Sequence, residues 1–244
     1  IMKTLIIIPS RMSATRLPGK PLLKINGLSI ISHVAKRAEE ANIGQVIVAT
    51  EDQEIVDDVK RNGFNAILTN NKHKTGTDRI HEAFQKSYIK DIDLIMNLQG
   101  DEPAIDIDDI KKLNDKMAKN YSDLGTLAAL ITDDNHLNNE SIVKVITEKN
   151  LEEDHFSRAL SFLRKSEKID NIYHHIGVYC YSKDTLDRFV KLRQSKNEIE
   201  NRLEQLRALD NNININVSLA KSSPIGVDTQ EDYLALKKIM EYKN

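Results

Sequence analysis

Apolar and polar positions in the first hundred residues alternate between two periods. Residues 5–8 (Leu-Ile-Ile-Ile) are an unbroken apolar run of strand length. After a loop, residues 29–41 place Ile30, Ile31, Val34, Ala35, Ala38 and Ala41 at helical spacing. Residues 45–49 read as a second strand, 53–62 as a helix ended by Gly63, and 64–68 as a third strand. Thr77 can cap a helix carrying Ile80, Phe84 and Tyr88, and residues 94–98 form a fourth strand. Continuous apolar strands separated by amphipathic helices predict an α/β chain with a parallel sheet covered on both faces.

The order then loosens. Residues 108–119 read as a helix, 127–131, 142–146 and 176–181 as strands, and 186–192 and 199–209 as amphipathic helices. A strand over 213–219 and a helix over 231–242 close the chain. With no internal repeat, low-complexity tract or clear linker, the expectation is a single α/β domain over 1–244. Residues from about 133 to 208 would be inserted into it.

Composition narrows the function classes. Lone Cys180 allows no internal disulfide, which fits a reducing cytoplasm. No apolar run approaches the roughly 20 residues of a membrane span, and no signal-peptide core is visible. Ile1, ahead of Met2, is set aside. Aromatics make up 5% of the chain and Trp is absent, which argues against a stacking platform for single-stranded nucleic acid. The net charge of −2 hides an asymmetry. Residues 1–38 carry Lys3, Arg11, Arg16, Lys20, Lys24, Lys36 and Arg37 with no acidic residue, so that segment is +7 and the remainder is −9. Such segregation suits an anion site.

Ligands of open parallel sheets bind outside the carboxyl ends of the strands. The loop after the first strand brings Arg11, Arg16 and Lys20 into ten positions bent by Pro18-Gly19, without a Walker A or dinucleotide glycine pattern. The second loop holds Glu51 and Asp52. The third runs Lys72-His73-Lys74-Thr75-Gly76-Thr77-Asp78-Arg79, and the fourth Gln99-Gly100-Asp101-Glu102-Pro103. Three clustered cations suit a triphosphate, although one such loop alone could be a solvated basic turn. Asp101 is placed to hold Mg²⁺ facing a phosphate, or else to serve as a turn or cap residue. Asp228 offers a second carboxylate, while Thr229 and Asp232 can form a capping pair opening the last helix, and both readings are compatible. His174 and His175 lack companions at zinc-ligand spacing, so one buried, hydrogen-bonded histidine is expected, with a sugar or carboxylate contact as the alternative. Tyr179 and Tyr181 share a strand face. Leu203 and Leu206 read as core, with Glu204, Gln205 and Arg207 on a solvated helix face, and Cys180 reads as a small buried hydrophobe.

Taken together, IPSRMSATRLPGKPL, VATED, TGTDRI, NLQGDEP, HHIGVYCY, LEQLR and GVDTQED occur in this order from about Ile6 to Asp232. This set resembles the 3-deoxy-manno-octulosonate (Kdo) cytidylyltransferase family. The arginine- and lysine-bearing first motif alone would indicate only the wider group that activates acidic sugars with CTP. The resemblance implies a Rossmann-like, mostly parallel sheet of nucleotidyltransferase type, with an inserted sugar-binding and dimerisation region. It implies a cytoplasmic homodimer that uses Mg²⁺ to make CMP-Kdo and pyrophosphate from CTP and Kdo, for lipopolysaccharide synthesis. Carried over by position, Lys20, Arg11 and Asp101 would be catalytic. Arg11, Ser13, Lys20, Thr75, Gly76 and Gln99 would bind CTP, and Asp101 and Asp228 the metal. Arg16, Arg158, His175, Tyr179, Glu204 and Gln205 would form the sugar side.

The pattern has departures. Ser10 replaces the usual alanine, and Ala104 and Asp106 stand where bulkier apolar residues and a proline follow the Gly-Asp-Glu-Pro run. Leu160-Ser161-Phe162 replaces a proline-containing stretch, Ser182 an arginine and Asn201 a glutamate. They concentrate on the sugar side and spare the CTP side. The alternative acceptor is therefore another acidic sugar, 8-amino-Kdo or a sialic-acid-like nonulosonate. A non-catalytic nucleotide-binding regulator is disfavoured by intact Lys20, Asp101 and Asp228, and nucleic-acid binding by the acidic remainder.

Overall fold

The computed structural model describes residues 1–242. The chain forms two compact units, one of Ile1–Asp108 with Pro224–Asn244, the other of Asp109–Ser223. Residues 133–208 lie inside the second.

In the first unit, β1 (Thr4–Ser10) leads through a 3-10 turn at Lys20–Leu22 to a small hairpin, β2 (Lys24–Ile25) and β3 (Leu28–Ser29). Then follow α1 (Ile30–Glu40), β4 (Gly44–Thr50), α2 (Gln53–Arg61), β5 (Ala66–Leu68), α3 (Gly76–Ser87) and β6 (Leu94–Asn97). The strands lie in the order β5-β4-β1-β6, and every neighbouring pair is parallel, for example Ile6 opposite Val46 and Met96. Leu5, Ile6, Ile7 and Ile8 are wholly buried, as a strand covered on both faces requires. Ser29 caps α1 by accepting from the Ser32 amide, and its hydroxyl donates to Asp58 on α2 at 2.5 Å, which fixes the two helices together.

The second unit contains α4 (Ile107–Asn120, entered from the first unit), β7 (Leu124–Ala129), β8 (Lys144–Thr147), β9 (Ser157–Leu163) and β10 (Ile172–Ser182). It continues with α5 (Lys183–Phe189), α6 (Lys196–Asn201), α7 (Leu206–Asp210) and β11 (Ile215–Leu219), and the chain returns to the first unit for α8 (Gln230–Tyr242). Strands run β10-β7-β11-β9-β8, and β8 also pairs with the start of β10, closing the five into a ring. Only β11–β7 is parallel; β10–β7, β10–β8, β11–β9 and β8–β9 are antiparallel. The pairing is thus mixed: parallel in the first unit, chiefly antiparallel in the second. The reason is connectivity, since β8, β9 and β10 follow one another without the crossover helices that parallel pairing needs.

Local readings differ in detail, and the β2–β3 hairpin is not among the expected elements. α3 is capped by Thr75, whose hydroxyl accepts from the Asp78 amide, and Thr77 sits buried in the first turn. The strand expected at 127–131 occupies Leu124–Ala129. β9 has no counterpart among the expected elements. The helix expected over 199–209 is two short helices, broken at Arg202, which takes a left-handed φ of 53°. Among the described residues, no helix is long and apolar enough to cross a membrane.

Candidate active site

Loops at the carboxyl ends of β1, β5 and β6, with the segment before α8, line a pocket of about 580 Å³ in the first unit. Arg11, Ser13, Arg16, Lys20, Thr75, Gly76, Gln99, Asp101 and Asp228 all line it, so these nine expected site residues are brought together.

Apolar anchoring sets the charges. Leu17 is buried in a cluster with Ile25, Ile30, Val227 and Leu236. It thereby carries Arg16 to the loop that bears Asp228, one residue past Val227, and the two form an exposed ion pair. The Val227 amide donates to the Asp101 carbonyl at 2.9 Å, so the Asp101 and Asp228 loops are stitched together. Lys20, mostly buried on its 3-10 turn, donates from Nζ to Asp101 Oδ2 at 3.1 Å. The Met12 amide donates to Asp52 Oδ2 at 2.7 Å, tying the first loop to the one after β4. Gly100 is required by close approach: a Cβ there would sit 2.8 Å from the Pro9 carbonyl oxygen. Glu102, beside Asp101, has Oε2 buried without a partner, and burial followed by the Asp101 charge raises its carboxyl to about 8. It is therefore protonated at neutral pH.

On the third loop, Arg79 is buried and donates to Glu51 Oε2 at 2.7 Å, Thr69 Oγ1 at 2.5 Å and the Asn70 carbonyl at 3.3 Å. His73 Nε2 meets Glu82 Oε2. Burial of Glu82 would raise its carboxyl, yet hydrogen bonds from Lys86, His73 and the Asn70 amide hold it at about 2. An ionised carboxylate only accepts, so the Nε2 proton belongs to His73, and Nδ1 is the ring atom left for a ligand. His73 and Arg79 also line the pocket but fall outside the expected site set. The signal available was their place in the same glycine-containing loop; Glu51 stands in the second of the strand-end loops, and Glu82 carried none.

The remaining expected residues are in the second unit. In β10 the register slips between Ile176 and Tyr179, and the buried Thr126 hydroxyl enters this bulge. Thr126 Oγ1 lies 2.7 Å from the Val178 carbonyl and 2.9 Å from His175 Nε2. Its single proton goes to the carbonyl, so His175 donates from Nε2 and keeps Nδ1 as an acceptor. Burial, aided by His174, lowers the His175 imidazole to about 3, and it is neutral. The Phe162 and Tyr179 rings flank it at 5.0 and 5.6 Å. Burial, then Tyr181 and Glu204, push the Tyr179 phenol far up. Arg158 stands on the exposed face of β9, 3.8 Å from Glu148. Gln205 is buried, and Arg207, expected on a solvated face, is buried as well, paired with Glu198 at 2.5 and 2.8 Å. Burial pushes the Cys180 thiol up and makes it inert.

Among the described residues, no three His, Cys, Asp or Glu side chains form a metal cluster. A Mg²⁺ ion asks less of the protein, one or two carboxylates completed by waters and phosphate oxygens. Asp101 and Asp228, on stitched loops of one pocket, are hard oxygen donors of that kind.

A family model described as "Cytidylyltransferase" matches residues 5–215. The 3-deoxy-manno-octulosonate cytidylyltransferase of Brucella canis is 42% identical over 234 residues, covering 95% of this chain and 93% of the relative. That of Brucella anthropi is also 42% identical, with 95% and 94% covered. A solved CMP:2-keto-3-deoxy-manno-octonic acid synthetase complexed with CTP is 34% identical, with a TM-score of 0.91 over 99% of this chain and 100% of that one. The 4-diphosphocytidyl-2C-methyl-D-erythritol synthase of Anaerococcus prevotii, 13% identical with a TM-score of 0.65 over 98% of this chain and 99% of that one, shares the fold. From its length-wide matches, the chain belongs to the cytidylyltransferase family and, within it, to the 3-deoxy-manno-octulosonate cytidylyltransferases.

Proposed function

We propose that the first-unit pocket binds CTP and that the enzyme transfers CMP from it to the anomeric hydroxyl of Kdo, giving CMP-Kdo and pyrophosphate for lipopolysaccharide synthesis. The observation that carries this reading is the pairing of Lys20 with Asp101 and of Arg16 with Asp228 inside one pocket that Arg11 also lines. Such a pocket offers cations to a polyphosphate and carboxylates to its counter-ion. The 42% identity to enzymes named for Kdo supports the acceptor.

The sugar hydroxyl forms a bond to the α-phosphorus, the α–β bridging bond breaks, and its electron pair leaves on pyrophosphate. The hydroxyl proton passes to solvent. Positioning and charge neutralisation carry most of the rate in such transfers. Lys20 and Arg11 hold the phosphates and offset charge growing on the leaving group. Ser13, Thr75 and Gly76 border the triphosphate and Gln99 the cytidine. Asp101 and Asp228 would hold Mg²⁺, which when bound shields phosphate charge and acidifies a coordinated hydroxyl. We assign the sugar to Arg16, Arg158, His175, Tyr179, Glu204 and Gln205. Dimer contacts are assigned to residues from about 133 to 208, within one α/β nucleotidyltransferase domain over 1–244. The proposal places the reaction in the cytoplasm, where nucleoside triphosphates are held.

The test is pyrophosphate release from CTP, Mg²⁺ and a panel of acidic sugars. Release is expected with Kdo, and Lys20→Met and Asp101→Asn should each lower it by about 100-fold or more with the fold intact. Wild-type release from Asp101→Asn, or no release with any sugar, would refute the assignment. Release only with 8-amino-Kdo or a nonulosonate would move the acceptor to that sugar.

A further inference from the structure

In the second unit one guanidinium holds a turn together. Arg164 follows β9, and its three groups are all used on main-chain carbonyls. Nε donates to Asn201 at 2.7 Å, Nη2 to Arg202 at 2.9 Å, and Nη1 to Glu140 at 2.9 Å. Asn201 and Arg202 are the last residue and C-cap of α6, where carbonyls lose their helical partners. Arg202 is in the left-handed region at φ 53°, a conformation that costs a non-glycine residue about 1 kcal/mol. The fork of Arg164, grasping the carbonyls on either side of that reversal, offsets the cost and fixes the exit direction.

The chain leaves the reversal into Leu203-Glu204-Gln205-Leu206-Arg207. Leu203 and Leu206 are buried, and the turn closes through Leu206 N to Leu203 O and Arg207 N to Glu204 O. The far end is pinned independently, since Arg207 is paired with buried Glu198 and lies 4.8 Å over the Phe189 ring. Glu204 and Gln205 thus stand on a turn held at one end by Glu198–Arg207 and at the other by Arg164. Arg164 is itself held. Its carbonyl lies against Lys144 Nζ, a wholly buried ammonium whose three protons are shared among it and the carbonyls of His136, Asn139 and Ile142 at 3.1, 3.0 and 2.6 Å.

We propose that Arg164 is a positioning residue for Glu204 and Gln205, setting affinity for the acidic sugar and taking no part in holding CTP. This rests on the assignment of those two residues to the sugar.

Steady-state kinetics with each substrate varied in turn tests it. Arg164→Met should raise KM for Kdo about ten-fold while KM for CTP stays within about two-fold. Arg164→Lys should recover little, because a compact ammonium lacks the planar fork that reaches these three carbonyls from Nε, Nη1 and Nη2. Guanidinium ion added to Arg164→Ala should lower KM for the sugar again. Amide hydrogen exchange over residues 203–207 should quicken in Arg164→Met without a change over residues 4–50. Equal rises in both KM values, an unchanged KM for the sugar, or unaltered exchange over 203–207 would overturn the proposal. A wild-type enzyme that releases pyrophosphate with no acidic sugar would overturn it together with the sugar assignment. Normal wild-type turnover with an Arg164→Met enzyme of unchanged sugar KM would overturn it alone.

Discussion

Acidification from pH 7 to pH 5 should destabilise this protein through His175 in particular. The side chain is buried between Phe162 and Tyr179, donates from Nε2 to Thr126, and has its imidazole lowered from 6.5 to about 3 by burial and by His174. Its folded value lies below the unfolded one, so the unfolded chain takes up the proton first. The stability of the neutral ring is present above about 6.5 and lost as pH falls toward about 3. Linkage with those two values gives a loss of about 2 kcal/mol between pH 7 and pH 5. His175→Gln isolates the effect, since its amide can still donate to Thr126 and does not titrate in this range. Urea unfolding at pH 7, 6 and 5 should show the wild type losing about 2 kcal/mol more than His175→Gln over the interval. Equal losses, or a His175 imidazole titrating near 6.5 by NMR, would refute the burial and tautomer argument.

Two further substitutions probe the same framework. Glu198→Gln should cost about 3–5 kcal/mol, because it leaves the Arg207 guanidinium buried without its carboxylate. Thermal unfolding reads this, and the double variant Glu198→Met with Arg207→Met should be more stable than Glu198→Gln alone. Gly100→Ala forces a Cβ to within 2.8 Å of the Pro9 carbonyl and 3.3 Å of Ile31 Cδ1. Pushing Gln99 and Asp101 aside should cost about 1–3 kcal/mol and ten-fold or more in pyrophosphate release, with unchanged values counting against the close approach.

The first unit is legible in the sequence because its strands are buried on both faces. Residues 5–8 show an unbroken apolar run, and the rule that ligands sit beyond strand ends then points to the loops that line the pocket. The second unit hides its logic in main-chain contacts. In β9 the buried positions include Ser157 and Ala159 while Leu160 is half exposed, which reverses the hydrophobic signal. The break at Arg202 is invisible because what holds it, Arg164, acts on carbonyls 37 and 38 residues away. Lys144 is buried for the same kind of reason: its partners are carbonyls, which every sequence has. Arg207 carries a signal only in retrospect, through Glu198 nine residues earlier.

Two of the cations that line the pocket are matched to carboxylates of the same pocket, beside Arg11 and Lys74. Lys20 faces Asp101 and Arg16 faces Asp228, so these two basic residues are balanced locally by carboxylates that follow them by 81 and 212 residues. A positive patch would bind any polyanion. Two ion pairs favour a ligand that brings both signs, because a polyphosphate alone would have to compete with the carboxylates, and a divalent cation alone with the lysine and arginine. In the proposed reaction Lys20 would turn from Asp101 to phosphate and Arg16 from Asp228 to the sugar, leaving both carboxylates to hold the ion that CTP brings. Binding of nucleotide and metal should therefore be mutually dependent, and the apparent affinity for CTP should fall steeply when the divalent cation is withheld.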